Sequence, residues 1–129
     1  MADTILVVED EILIRMVIAD YLRDCGYRIF EAGTTNEAIQ ILQAEPRIDV
    51  VFTDIQMPGD RDGFDLCRWV HGHTPHVKVV LTSGGINAAE VAEDLCHAGP
   101  LMGKPYHLHQ VLARIRSVLE RGVDLAATG

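Results

Sequence analysis

Short apolar runs recur along this chain at an interval that leaves few possible folds. They cover residues 5–8, 28–32, 50–53 and 77–81, with a weaker fifth run at Leu101 and Met102. Each run has the length of a strand and not of a helix, and the stretch between successive runs has room for a loop, a helix and a second loop. Three runs are almost continuously apolar, which is typical of parallel strands covered by helices on both faces. The sequence therefore predicts a doubly wound α/β fold.

The stretches between the runs contain recognisable helix boundaries. The first helix is predicted over about residues 12–25, with Arg23 in its last turn. Gly26 follows directly, at a position where a left-handed backbone conformation favours glycine. Thr34, followed three residues later by Glu37, predicts a capping box at the start of the second helix.

The C-terminal part of the chain sets the domain boundary. The last helix begins near Leu108, and its apolar residues recur three and four apart in one broad stripe that should pack on the sheet. Beyond Arg121 the residues are small and show no periodicity. The chain has 129 residues and 48% apolar content, which suits one domain with one core. We therefore expect one domain over residues 1–121 and a flexible tail over residues 122–129.

Charge and cysteine content restrict the environment and the partners. The formal net charge is −8, and such a surface repels the phosphate backbone, so direct binding to nucleic acid is not expected. No apolar run reaches the roughly 18 residues of a membrane span, and the N-terminus lacks the features of a signal peptide. Cys25, Cys67 and Cys96 are few and widely spaced, which favours free thiols in a reducing compartment. We expect a cytoplasmic protein without membrane association.

Chemically active side chains follow the predicted strands, at the edge where parallel α/β sheets bind their ligands. Glu9 and Asp10 follow the first strand, and Asp54 follows the third. Thr82 ends the fourth strand, and Lys104 follows the fifth. We therefore expect three carboxylates, a hydroxyl and an ammonium group to converge at one edge of the sheet.

Carboxylates that converge in this way need a counter-charge. They repel each other by roughly 4 kcal/mol per pair when about 4 Å apart at an effective dielectric constant of about 20. Mg²⁺ suits such a set of oxygen ligands. With Mg²⁺ present, Asp54 can act as a nucleophile toward phosphorus, because the metal offsets the repulsion between its carboxylate and the phosphoryl oxygens. Thr82 and Lys104 can then contact the transferred group.

Five motifs together show a resemblance to a known family. They are Ile-Leu-Val-Val-Glu-Asp-Glu at 5–11, Thr-Asp-Ile-Gln-Met-Pro at 53–58, Asp62-Gly63, Leu-Thr-Ser at 81–83 and Lys104-Pro105. As a set, they resemble the receiver domains of two-component response regulators over almost the whole chain. The resemblance implies a flavodoxin-like, five-stranded parallel sheet with strand order 2-1-3-4-5 and helices on both faces.

The resemblance also implies a function. A histidine kinase or a histidine phosphotransfer protein would transfer a phosphoryl group to Asp54, and phosphorylation would alter contacts with a downstream protein that the sequence does not identify. The residues that would hold Mg²⁺ are Glu9, Asp10, Asp54 and, through its main-chain carbonyl, Gln56. Thr82 and Lys104 would contact the phosphoryl group, and the Lys104–Pro105 peptide bond is expected to be cis. We expect a stand-alone signalling module that assists its own phosphorylation and dephosphorylation but is not an enzyme.

Three positions depart from the usual family pattern. Glu9 stands where many members have Asp, and its longer side chain can still reach a metal. The loop between Pro58 and Gly63 is one residue longer than the commonest spacing, so it should bulge beside Asp54. Leu101 stands where members usually have the Tyr or Phe that moves inward on phosphorylation, so that response is not expected here.

Other functions fit parts of the pattern. A phosphohydrolase of the haloacid dehalogenase type has a second Asp two residues after its nucleophile, whereas this chain has Gln56. A pseudo-receiver that binds a partner without being phosphorylated would fit Leu101 and the lengthened loop. The side chains of Cys67, His71, His73 and His76 are spaced so that they could bind a transition metal. We expect instead that these histidines are solvated side chains on the surface.

Overall fold

Strands and helices alternate along the chain. The computed structural model describes residues 3–83, 102–103 and 108–121. The strands are β1 (Thr4–Val8), β2 (Arg28–Ala32), β3 (Val50–Asp54), β4 (Lys78–Ser83) and β5 (Met102–Gly103). The helices are α1 (Ile12–Asp24), α2 (Thr35–Ala44), α3 (Gly63–His73) and α4 (Leu108–Arg121). Each strand begins and ends within two residues of the apolar run that predicted it.

The five described strands form one parallel sheet in the order β2-β1-β3-β4-β5. This arrangement confirms the predicted fold class and strand order. The chain winds outward in opposite directions from β1 and β3, so the connections after these two strands diverge. A crevice therefore forms beyond their carboxyl ends, which is where sheets of this kind bind ligands.

Apolar side chains cover both faces of the sheet. On one face, Ile5 and Val7 pack against α1 and α4. On the other face, Leu6 and Val8 pack against α2 and α3. Successive residues of a strand point to opposite faces, so burial of both faces explains why the runs are continuously apolar instead of alternating. The stripe predicted on the last helix is also confirmed, since its buried residues include Val111, Leu112, Ile115 and Val118.

Local hydrogen bonds set the helix boundaries. Gly26 has a φ of 99°, the left-handed conformation predicted after α1. At the start of α2, Thr34 Oγ1 accepts a hydrogen bond from Glu37 N at 3.1 Å, as predicted. The reciprocal half of the predicted capping box is wrong, because the Glu37 carboxylate accepts a hydrogen bond from Gly33 N, at 3.0 Å, and not from Thr34 N.

Several predictions concern residues outside the described part of the chain. They are Leu101, Lys104, the cis Lys104–Pro105 bond, Cys96 and the tail at residues 122–129. Cys25 and Cys67, which are described, do not form a disulfide. No helix within the described ranges has an apolar stretch long enough to span a membrane.

Candidate functional site

Three carboxylates meet in the crevice beyond β1 and β3. One oxygen each from Glu9, Asp10 and Asp54 lies within 4.8 Å of the other two. The parallel register explains the meeting: Val8 pairs with Thr53, so the next residues of the two strands, Glu9 and Asp54, lie at the same level. Glu9 and Asp54 are buried, with 3% and 7% of their surfaces exposed, whereas Asp10 is exposed. The structure thus brings together the three side chains that the sequence predicted as metal ligands.

The backbone of Glu9 is held on both sides. Glu9 N donates to Ala32 O at 3.0 Å, which extends the pairing of β1 with β2 by one residue. Arg15 Nη1 donates to Glu9 O, also at 3.0 Å. The Glu9 carboxylate accepts a hydrogen bond from Glu11 N at 3.3 Å, which directs it toward the start of α1.

Asp54 is held by its own strand and by the turn that follows. Thr53 Oγ1 donates to Asp54 O at 2.9 Å, and Gln56 N donates to Asp54 Oδ1 at 3.3 Å. Ile55 N donates to Thr82 O at 3.0 Å, which continues the pairing of β3 with β4 past Asp54. Gln56, the fourth residue of the predicted metal site, lies within this turn and lines the same cavity as Asp54.

Thr82 lies beside Asp54 on the neighbouring strand. The two residues are partners in the register of β3 and β4, so their side chains point to the same face. Thr82 is 1% exposed, and its Oγ1 has no hydrogen-bond partner among the residues that the structure describes. A buried hydroxyl without a hydrogen-bond partner destabilises the folded protein by roughly 1–3 kcal/mol. A ligand that accepts a hydrogen bond from this hydroxyl would remove that cost.

The start of α3 packs directly against the chain that follows Asp54. Gly63 N donates to Ile55 O at 2.7 Å. Asp62 and Asp65 form a complete capping box at this helix end: Asp65 N donates to Asp62 Oδ1 at 3.0 Å, and Asp62 N donates to Asp65 Oδ2 at 2.9 Å. Thr35 Oγ1 of α2 donates to Asp62 O at 3.1 Å, which ties the two helix starts together. The Asp62-Gly63 motif therefore fixes the wall of the site.

Electrostatic interactions at this helix end favour an ionised Asp65. The hydrogen bond from Asp62 N lowers the pKa of the Asp65 carboxyl from its ordinary value of 3.8. A hydrogen bond and the charge of Arg68 act in the same direction, and desolvation opposes them. Asp65 is therefore a fixed negative charge at the N-terminus of α3, where the helix dipole favours an anion.

An open cavity of about 710 Å³ lies over the carboxylates. Residues 54–62 and Asp65 line one side, and Asp10 and Glu11 line the other. The lengthened loop thus forms one wall, and it turns at Gly59, which has a φ of 97°. The lining includes six carboxylates, and Arg61 is the only cation that the described residues contribute. The cavity can admit a group that approaches Asp54 from solvent.

The donor set suits a divalent cation. Oxygen atoms of three carboxylates converge within the distance that one ion can bridge, and Mg²⁺ prefers oxygen ligands. Two of these carboxylates are buried, so their mutual repulsion is poorly screened without a cation. The residues present therefore fit a Mg²⁺ site.

The sequence did not indicate that Arg15 contacts this site. Arg15 lies in the first turn of α1, four residues after Glu11, and reaches back to the main chain of Glu9. The relevant sequence pattern is a basic residue one helical turn after three consecutive acidic residues. This pattern alone does not show where the long side chain of Arg15 points.

The histidines of α3 and the following loop lie elsewhere. The ring of His73 stacks on Trp69 with centroids 4.5 Å apart, and its Nδ1 lies 2.9 Å from Trp69 O. His76 Nε2 lies 3.4 Å from Pro46 O. His71 is exposed. Within the described ranges, the carboxylates of Glu9, Asp10 and Asp54 are the one group of side chains arranged to hold a metal ion.

Comparison with known proteins connects this geometry with one family. The sequence matches the family described as "Response regulator receiver domain" over residues 5–116. It is 31% identical over 121 residues to the transcriptional regulatory protein GltR of Pseudomonas aeruginosa, covering 92% of this chain and 49% of that protein. The chain spans about half the length of these curated relatives, which include the transcriptional regulatory proteins PhoP of Escherichia coli and ResD of Bacillus subtilis.

Solved structures share the fold. A response regulator receiver domain protein from Clostridium thermocellum is 28% identical, with a TM-score of 0.83 over 92% of this chain and 95% of that one. A CheY-like receiver domain protein from Methanospirillum hungatei has a TM-score of 0.86 over 95% of this chain and 97% of that one. Its identity is 22%, so this second likeness concerns the fold alone.

Proposed function

The chain belongs to the response regulator receiver family, and on that premise we propose that it accepts a phosphoryl group on Asp54 and signals through altered contacts with another protein. Receiver domains act as signalling modules and not as enzymes that turn over a substrate. The observation that supports the proposal most directly is the convergence of Glu9, Asp10 and Asp54 beside the Thr82 hydroxyl, which has no hydrogen-bond partner in the described part of the chain.

The proposed mechanism assigns a role to each side chain. Mg²⁺ would be held by the carboxylates of Glu9, Asp10 and Asp54 and by the main-chain carbonyl of Gln56, and it would supply positive charge against the phosphoryl oxygens. One oxygen of Asp54 forms a bond to phosphorus while the bond between phosphorus and the donor nitrogen breaks. Thr82 and Lys104 stabilise the transferred group by a hydrogen bond and by charge.

The proposed phosphodonor is a histidine kinase or a histidine phosphotransfer protein. Exposed apolar side chains on α1 support a protein donor: Ile12, Leu13, Met16 and Val17 are 61%, 77%, 48% and 55% exposed. Apolar groups clustered on a surface commonly mark protein interfaces. Because α1 begins directly after Asp10 and Glu11, a protein bound there lies next to the cavity over Asp54.

The downstream partner is unidentified, and the boundary of the receiver module is part of the proposal. We propose that residues 1–121 act as the receiver module, that residues 122–129 are a tail, and that the module has no direct contact with nucleic acid. The names of the relatives describe transcriptional regulatory proteins of about twice this length. The absence of direct contact with nucleic acid therefore remains a prediction.

A mass measurement tests the proposal. The protein is incubated with acetyl phosphate and Mg²⁺, and its intact mass is compared with that of Asp54→Asn. Asp60→Asn is the matched control, because Asp60 also lines the cavity but lies outside the carboxylate cluster. We expect uptake of one phosphoryl group by the wild type and by Asp60→Asn, and none by Asp54→Asn.

Two other results would contradict the proposal. Uptake by Asp54→Asn would place the phosphoryl group on another residue. Failure of the wild type, despite measured Mg²⁺ binding and trials with phosphorylated protein donors, would favour the alternative of a binding module that is not phosphorylated. Leu101 in place of the usual aromatic residue is the feature that favours this alternative.

A further inference from the structure

Arg15 connects the carboxylate cluster with the neighbouring edge of the sheet. Its Nη1 donates to Glu9 O at 3.0 Å, and its Nε donates to Glu31 Oε1 of β2 at 3.3 Å. The side chain is 20% exposed, so most of this long cation is shielded from solvent. The guanidinium therefore donates through Nη1 to a main-chain carbonyl of the site and through Nε to a carboxylate.

The carbonyl that Arg15 contacts has a particular position. Glu9 O belongs to the peptide group that joins Glu9 to Asp10, and both of these residues contribute carboxylates to the cluster. A hydrogen bond to this oxygen restricts rotation of the peptide plane between the two side chains. One contact thus restricts the direction of two of the three carboxylates.

The surroundings leave the guanidinium little freedom. A Cβ on Gly33 would lie 3.0 Å from Arg15 Nη1 and 3.1 Å from Glu37 Oε1, so a larger residue at position 33 would press on both groups. Glu31 is itself held from the other side by Arg23 Nη2 at 3.1 Å. Glu31 therefore fixes the end of the Arg15 side chain that points away from Glu9.

We propose that Arg15 is a positioning residue for the Mg²⁺ site: it holds the Glu9–Asp10 peptide so that both carboxylates already point at the metal position before Mg²⁺ binds. The inference rests on the proposed function, because it assumes that this cluster binds Mg²⁺. Partners of metal ligands have such effects in other sites, where their loss typically weakens metal affinity about 10–100-fold. Arg15 acts through main chain, so we expect the lower end of that range.

Arg23 provides a matched control. It shares Glu31 with Arg15, but it also donates to Asp20 Oδ1 and Ile29 O, which lie outside the site. Arg15→Gln and Arg23→Gln each remove one cation from the same carboxylate. Of the two substitutions, Arg15→Gln is the one that removes the hydrogen bond to Glu9 O.

The test measures Mg²⁺ affinity by titration calorimetry of the metal-free protein with MgCl₂, without any phosphodonor. We expect Arg15→Gln to raise the dissociation constant about tenfold and Arg23→Gln to leave it unchanged. Arg15→Lys, whose ammonium can still donate to Glu9 O, should recover part of the affinity and provides a second variant if Arg15→Gln does not fold. Phosphorylation by acetyl phosphate should then need more Mg²⁺ in Arg15→Gln but reach a similar maximal rate.

Unchanged Mg²⁺ affinity in folded Arg15→Gln would overturn the inference. Equal losses in Arg15→Gln and Arg23→Gln would also overturn it, because the shared ion pairs with Glu31 would then explain the effect. A wild type that binds Mg²⁺ but takes up no phosphoryl group would contradict the proposed function alone, and the affinities would still decide the role of Arg15.

Discussion

The Cα of Gly63 lies so close to the chain at Asp54 that no side chain fits between them. A Cβ on Gly63 would lie 2.7 Å from Ile55 Cα and closer still to Asp54 O. The hydrogen bond from Gly63 N to Ile55 O, at 2.7 Å, holds the two segments together. The start of α3 is therefore packed directly against the backbone of the proposed phosphoacceptor.

Replacement of Gly63 by Ala should damage both stability and phosphorylation. The added methyl group forces α3 away from Asp54, and overpacking of this kind typically costs about 1–3 kcal/mol. Urea unfolding should show a loss of that size, and phosphorylation by acetyl phosphate should slow because Asp54 shifts relative to Glu9 and Asp10. Unchanged unfolding and labelling would show that the helix start gives way without moving Asp54.

Gly72 of the same helix is the control for this substitution. No atom of the described residues lies within 4 Å of a Cβ at Gly72, and its φ is not in the left-handed region. Gly72→Ala should therefore raise the free energy of unfolding by about 0.5–1 kcal/mol, because alanine favours the helix more than glycine does. Phosphorylation should be unaffected.

Replacement of Thr82 by Val should separate stability from function. Its buried hydroxyl has no hydrogen-bond partner among the described residues, so its removal should leave stability unchanged or raise it by up to about 1 kcal/mol. Under the proposed mechanism, the same variant loses a contact with the phosphoryl group and should accumulate less phosphorylated protein. Thermal unfolding and intact mass on the same samples test both parts.

Thr53→Val is the matched comparison for Thr82→Val. Thr53 Oγ1 is also buried but donates to Asp54 O at 2.9 Å. Its replacement should cost about 1 kcal/mol of stability, because a made hydrogen bond is lost. If Thr82→Val proves as destabilising as Thr53→Val, the Thr82 hydroxyl has a structural partner. The prediction that Thr82→Val impairs phosphorylation without loss of stability would then be wrong.

Asp65 should make the start of α3 sensitive to acid. The folded state lowers the pKa of this carboxyl below 3.8, chiefly through the hydrogen bond from Asp62 N. Its stabilising contribution is therefore fully present above the unfolded-state pKa of about 4 and is lost as the pH falls through the lower folded-state pKa.

Asp65→Asn tests this pH dependence. At pH 7 the variant should be less stable than the wild type by about 0.3–1 kcal/mol, the usual effect of an acidic side chain at a helix N-terminus. The difference should begin to shrink as the pH falls below about 4, where the carboxyl of the unfolded chain becomes protonated, and should disappear once the pH is below the lower folded-state pKa. Urea unfolding midpoints across this range provide the measurement, and a difference that stays constant with pH would contradict a charge effect.

The apolar surface of α1 should matter for a protein donor and not for a small one. Leu13 is 77% exposed, so Leu13→Gln should change stability by less than about 0.5 kcal/mol. Labelling by acetyl phosphate should be unchanged, whereas labelling by a phosphorylated histidine phosphotransfer protein should slow. Equal rates with the protein donor would place its docking surface elsewhere.

Sequence patterns predicted the fold well because burial leaves few choices on these strands. β1 and β3 are buried along their whole length, so every residue between their ends must be apolar or paired, and the resulting runs are easy to recognise. The carboxylate cluster was predictable for a related reason, since Glu9 and Asp54 come directly after those runs and parallel register brings them to one level.

Contacts that depend on tertiary structure could not be predicted in the same way. The sequence predicts a capping box at Thr34 and Glu37 because Glu is the residue expected three positions after the N-cap, whereas the complete box has the shorter Asp65 at that position in α3. The reach of Arg15 to Glu9 O depends on how α1 packs beside β2. The close approach at Gly63 exists only after α3 has packed on β3.

Ile55 closes the lengthened loop at a single residue. Its N–H donates to Thr82 O and its carbonyl accepts from Gly63 N, so residues 56–62 leave the sheet and return at the same point. The entropic cost of closing a loop rises only slowly with its length. Insertions and exchanges at residues 57–61, between Gln56 of the proposed metal site and Asp62 of the capping box, can therefore remodel the rim that a partner meets while the reactive carboxylate keeps its place. Partner recognition and phosphoryl chemistry can thus diverge independently. Transfer of this loop between relatives therefore offers a way to change which partner a receiver domain recognises.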